Sequence, residues 1–174
     1  MPATVKVGMI RLALMFKNNE MFWFVVGRTH TPWDDENNPP TESIDTVSLT
    51  EIGGLQKAQT VSLCYPDPNG EIEFKGQRYR LVSDENAYEY DSRFLYCSTL
   101  LKFDEFPLVT FRQFGIYVGV VPKVGYEDRS VLTPDQVQDY GKMIGYVNHP
   151  PLVRTAGSKN LLEIVIEFVP KVTA

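Results

Sequence analysis

Two patterns overlap from Val5 to Phe16. Met9, Leu12, Ala13 and Phe16 fit one face of a helix, while Val5, Val7 and Met9 also alternate as along a strand. The pattern predicts a helix near 8–17, stopped by Asn18-Asn19. The next run, Met21-Phe22-Trp23-Phe24-Val25-Val26, is apolar at every position and predicts a central strand covered on both sides. After Gly27 the periodicity vanishes. Residues 28–43 are polar and hold Pro32, Pro39 and Pro40. Proline cannot donate to a ladder and restricts the residue before it, so this stretch predicts an extended, exposed loop. A loop of this length without its own secondary structure is functional or disordered more often than idle.

The clearest local pattern lies at Glu71–Arg80. With Lys75-Gly76 at the centre of a two-residue turn, Glu73 faces Arg78, Ile72 faces Tyr79 and Glu71 faces Arg80. Opposite charges meet on one face and an aliphatic–aromatic pair on the other, which fixes a hairpin of 71–75 with 77–81. Upstream, Pro66-Asp67-Pro68-Asn69-Gly70 signals a turn. Arg93 to Phe103 and Phe111 to Val121 predict two more strands, the second alternating around Phe114, Ile116, Val118 and Val120. Thr133-Pro134-Asp135-Gln136 carries a capping box and a proline at the first helical position. It predicts a helix whose apolar face is Val137, Tyr140 and Ile144. Leu161 to Val169 alternates again as a half-buried strand. The sum is a mainly β protein, a β-sandwich or flattened barrel of about six strands with one or two short helices.

At 174 residues this predicts one β-rich domain spanning 1–174. Hydrophobic residues make up 43% and aromatics 12%, enough for a core without staples. The net charge of −5, with no basic run, argues against a nucleic-acid surface. Cys64 and Cys97 sit in apolar, β-like segments and read as small buried hydrophobes, with a disulfide as the alternative. Arg11 and Lys17 interrupt the first apolar stretch, so it does not read as a signal peptide, and nothing approaches a membrane span of ~20 residues.

Candidate chemistry is sparse, and the sequence reads as non-enzymatic. His30 and His149, the two histidines, each lie in a proline-flanked loop and read as turn residues rather than general bases. No phosphate loop, nucleophile elbow or metalloprotease motif occurs. Asp34-Asp35-Glu36 lacks the alternating ligands of a calcium loop, so neither a metal nor a cofactor is expected. Trp33 is more telling. It either folds back to pin its own loop or anchors a protein contact.

The order Phe22-Trp23-Phe24-Val25-Val26-Gly27-Arg28, then Pro32-Trp33-Asp34-Asp35-Glu36-Asn37-Asn38-Pro39-Pro40, resembles a segment of baseplate wedge subunits and related virion structural proteins of tailed bacteriophages. Phe111-Arg112-Gln113-Phe114-Gly115-Ile116, Leu132-Thr133-Pro134, Asn148-His149-Pro150-Pro151 and Leu162-Glu163-Ile164-Val165-Ile166-Glu167-Phe168 are similar to later parts of the same proteins. The resemblance implies a building block of the virion tail, assembled in the host cytoplasm from contacts with other virion proteins. A head–tail neck or short-tail nozzle could use the same module. Arg28, Pro32, Trp33, Asp34, Asp35, Glu36, Pro39 and Pro40 are then the candidate assembly contacts. From a different class, a small-ligand- or carbohydrate-binding β-sandwich would use Trp33 with Tyr88 and Tyr90 as a stacking platform.

Overall fold

The apolar run after Asn19 does become the middle strand of a sheet, with all five of its residues buried. In the computed structural model, which describes residues 2–172, the chain opens with β1 (Ala3–Thr4), α1 (Lys6–Asn19), β2 (Trp23–Gly27) and β3 (Gly54–Lys57). It continues through β4 (Thr60–Pro66), β5 (Ile72–Phe74), β6 (Gln77–Val82), β7 (Phe94–Lys102) and β8 (Thr110–Val118). Then come β9 (Val121–Pro122), β10 (Val131–Leu132), β11 (Val137–Asp139), β12 (Lys142–Val153), β13 (Lys159–Glu167) and β14 (Lys171–Val172). The protein is mainly β with one α-helix, as the pattern predicted, though with more strands than the pattern showed.

The chain gathers into two compact units. One comprises Met21–Ala58 and Thr99–Leu162. Its antiparallel sheet runs β10-β3-β2-β8-β12, with Val25 opposite both Leu55 and Gly115. Trp23, Val25, Leu49, Leu55, Tyr117, Leu132 and Val137 form its core. The Tyr117 hydroxyl accepts the Leu49 N–H at 2.7 Å, so the buried phenol is satisfied.

The second unit comprises the stretch ending at Glu20, Gln59–Ser98 and the stretch from Glu163 onward. Its sheet runs β13-β7-β4-β6-β5, with β7 and β13 giving residues to both units. The hairpin forms in the expected register, Ile72 opposite Tyr79 and Glu73 opposite Arg78. Lys75 and Gly76 have φ of 49° and 78°, the double left-handed turn that matches strand twist. The Glu71–Arg80 pair does not form. Arg80 Nε donates instead to Asp67 at 2.7 Å, and Glu71 accepts the Leu81 N–H at 3.2 Å. The turn carrying Asp67 offers Arg80 a carboxylate at closer range. Cys64 and Cys97 are free thiols, each pushed by burial up to about 12. At the ends of the described chain, β1 pairs with β14, Ala3 opposite Val172.

The helix expected after Thr133 is a correction. Its cap exists: Gln136 Oε1 accepts the Thr133 N–H at 3.1 Å over one 3-10 turn, Pro134–Gln136. The chain then enters β11 and β12 rather than a helix containing Val137, Tyr140 and Ile144. Gly141 explains the break. It sits at φ 71°, and an added Cβ there would lie 2.0 Å from the Val118 carbonyl oxygen, so the residue is a corner packed on the end of β8. Pairing with β8 from Lys142 onward then outweighs the helical spacing.

Candidate assembly surface

The loop after β2 has no ladder of its own, so its backbone polar groups must find other partners. It leaves β2 through Arg28, at φ 51°, whose N–H donates to the Thr50 carbonyl at 2.7 Å. Glu51 fastens the next three residues. Its carboxylate accepts the Thr31 N–H at 2.9 Å, the Thr31 hydroxyl at 2.8 Å and the His30 N–H at 3.3 Å. These bonds, the Thr31 N–H foremost, hold the Glu51 carboxyl below its ordinary value.

Trp33 folds back onto its own unit. It is 8% exposed, and its indole N–H donates to the His149 carbonyl at 2.9 Å. The Arg28 guanidinium lies 3.8 Å over the ring and donates to the Pro32 carbonyl at 2.9 Å. The ring thus lies against its own unit rather than projecting from it. Glu36 is the second fastening: the Arg112 Nε donates to both carboxylate oxygens, at 2.9 and 3.0 Å, while Glu36 also accepts the Trp33 N–H at 3.1 Å. The Arg112 bonds hold the Glu36 carboxyl below its ordinary value. Asp35 closes a local turn on Asn37 and Asn38, and those bonds, Asn38 first, lower its carboxyl too. Farther on, Asn148 donates to the Pro40 carbonyl at 2.9 Å, and the Tyr146 hydroxyl accepts the Ser43 N–H at 2.7 Å.

This arrangement leaves a defined outer surface. Pro32, Asp34, Asp35 and Pro40 are exposed, with Pro39 half-buried. A depression of about 420 Å³ is lined by Arg28, Trp33, Asp34, Asp35, Asn38 and Pro40. Asp34 makes no hydrogen bond or ion pair among the described residues. The fastening residues Glu51, Arg112, Tyr146, Asn148 and His149 were not among the candidates. Their partners lie up to 116 residues away in sequence, and no local spacing announces them.

Neither imidazole bonds a carboxylate among the described residues. His30 pairs with the Thr29 hydroxyl at 2.9 Å. The His149 ring packs edge-on to Phe111 and against Phe114, at 5.2 and 5.6 Å between centroids, and burial pushes it below its ordinary value. The described residues hold no cluster of three or more His, Cys, Asp or Glu side chains fit for a metal. Of the rings of the stacking platform, Trp33 lies under Arg28 and Tyr90 stacks on Tyr65 at 4.8 Å.

Comparison with known proteins gives the class first. Over 151 residues the chain is 31% identical to Virion protein 3 of Enterococcus phage phiEF24C, an alignment covering 83% of this chain and 82% of that protein. The family follows. The family model described as baseplate wedge 3 tail fiber network component matches residues 1–168, and the chain belongs to that family. It is a structural protein of the phage tail that associates with other virion proteins.

Proposed function

We propose that the chain is a baseplate wedge subunit and that Arg28–Ser43 is one of the surfaces through which it meets its neighbours during assembly in the host cytoplasm. The observation that carries this reading is the fastening of the loop to its own unit. Trp33 under Arg28, Glu36 on Arg112 and Thr31 on Glu51 hold one conformation. A segment ordered in advance loses little entropy on docking, which favours assembly from many weak contacts. The candidate residues then divide by task. Arg28, Trp33 and Glu36 shape the loop from within, while Pro32, Asp34, Asp35, Pro39 and Pro40 meet the neighbour. Asp34, unpaired and exposed, calls for a basic group on that neighbour.

A phage lacking this gene, complemented with the Asp34→Lys, Pro40→Asp double variant, tests the reading. The isolated variant should keep its stability within about 0.5 kcal/mol, as surface changes do. Its recovery in purified particles should fall at least about tenfold, which corresponds to 1.4 kcal/mol of lost contact. Wild-type incorporation would refute the assignment of this surface.

A further inference from the structure

The helix α1 carries apolar residues on two sides, and the fold uses one. Ile10 and Ala13 are buried. On the opposite side Leu12 is 37% exposed and Met15 49%, with Val5 60% exposed at the N-cap. Val5, Gly8, Leu12 and Met15 follow one another at spacings of three, four and three, the seam that one helix offers to another. A helix of 14 residues is ~21 Å long, enough for two heptads of contact.

Gly8 stands in the first turn of this helix, where glycine is a poorer helix former than alanine. Nothing among the described residues requires its small size, because an added Cβ would meet only Val5 Cγ2, at 3.9 Å. A missing side chain in the middle of an open seam does suit the close approach of another helix.

Charge selects the kind of helix. Every charged residue of α1 is basic, Lys6, Arg11 and Lys17, in a chain whose net charge is −5. Lys17 is spent on Asp84 at 2.9 Å, and Lys6 stands 3.8 Å from Asp91. Arg11 is exposed beside the seam and pairs with no carboxylate among the described residues. A second copy of α1 would bring basic side chains against Arg11, which like-charge repulsion opposes.

We propose that the outward face of α1 docks an acidic amphipathic helix of another virion protein. This surface is distinct from Arg28–Ser43, so the two assignments can fail separately. The test uses the full chain in assembled particles, with a photo-crosslinking phenylalanine derivative at Leu12 or Met15 and the adducts mapped by mass spectrometry. The expected product joins either position to one segment of another virion protein that is net negative and has apolar residues at three–four spacing. No adduct, an adduct to a second copy of this chain, or an adduct to a segment without that pattern would overturn the proposal.

Two substitutions check the energetics. Gly8→Ala should raise the melting temperature of the isolated protein yet lower its recovery in particles. Arg11→Glu should leave the melting temperature unchanged and lower recovery at least about tenfold. Reversing the facing acid of the crosslinked segment to lysine should restore the Arg11→Glu variant. If both variants assemble as well as wild type, the face is not a docking site.

Discussion

At Trp33 a large ring lies under a guanidinium, with its N–H on a carbonyl 116 residues away in sequence. Truncating it removes packing, a part-buried hydrogen bond and the partner of Arg28. Trp33→Ala is therefore expected to cost about 2–4 kcal/mol in urea denaturation of the isolated protein, in the range of large core truncations. A cost under about 0.5 kcal/mol would class the ring as a surface group. The neighbouring His149 sets a pH dependence. An unfolded chain protonates it as pH falls through about 6.5, while the half-buried folded ring, desolvated against Phe111 and Phe114, stays neutral to a lower pH. Between those points the unfolded state binds the extra proton, so stability falls as pH falls. Glu36 and Glu51 add a second loss as pH drops below about 4.5, because their folded carboxyls stay ionised where unfolded ones do not. His149→Phe, filling the same place beside Phe111 and Phe114, should abolish the upper limb of a stability-versus-pH curve and spare the lower one.

Among the elements, the β5–β6 hairpin was legible because charge pairing, face alternation and a turn with glycine all agree within ten residues. The β2 strand was legible from its unbroken apolar run. The β12 strand was not. The residues from Val137 that lead into it sit at helical spacing behind a capping box, and only the corner at Gly141 and the pairing with β8 decide otherwise. The candidate surface was half legible. Proline content located the loop, but the partners that hold it come from β8, β12 and Glu51, which only the fold brings near. Two glycines separate local from tertiary constraint. Gly76→Ala should cost about 1 kcal/mol, the ordinary penalty for a left-handed residue, since nothing lies within 4 Å of the added methyl. Gly141→Ala meets the same φ penalty plus the Val118 carbonyl at 2.0 Å, so it should lower the melting temperature more. Equal losses for the two would mean that the β8 corner relaxes freely.

Over the whole molecule, the ladders join strands far apart in sequence. β2 pairs with β8, and β1 with β14. Non-local pairing of this kind folds in milliseconds to seconds, because loop closure precedes the reward. Tryptophan fluorescence after dilution from urea should recover on that timescale, and full recovery within microseconds would contradict it. The β1–β14 pair has a separate consequence for handling the protein. Thr4 faces Lys171 and Ala3 faces Val172 in antiparallel register, so the two strands lie side by side, roughly 5 Å apart. A label fused ahead of β1 and one fused behind β14 would emerge at a common spot on each subunit and mark the same location in a particle. A short linker across that gap, with the chain reopened at Lys75-Gly76, would give a circular permutant whose ladders all survive.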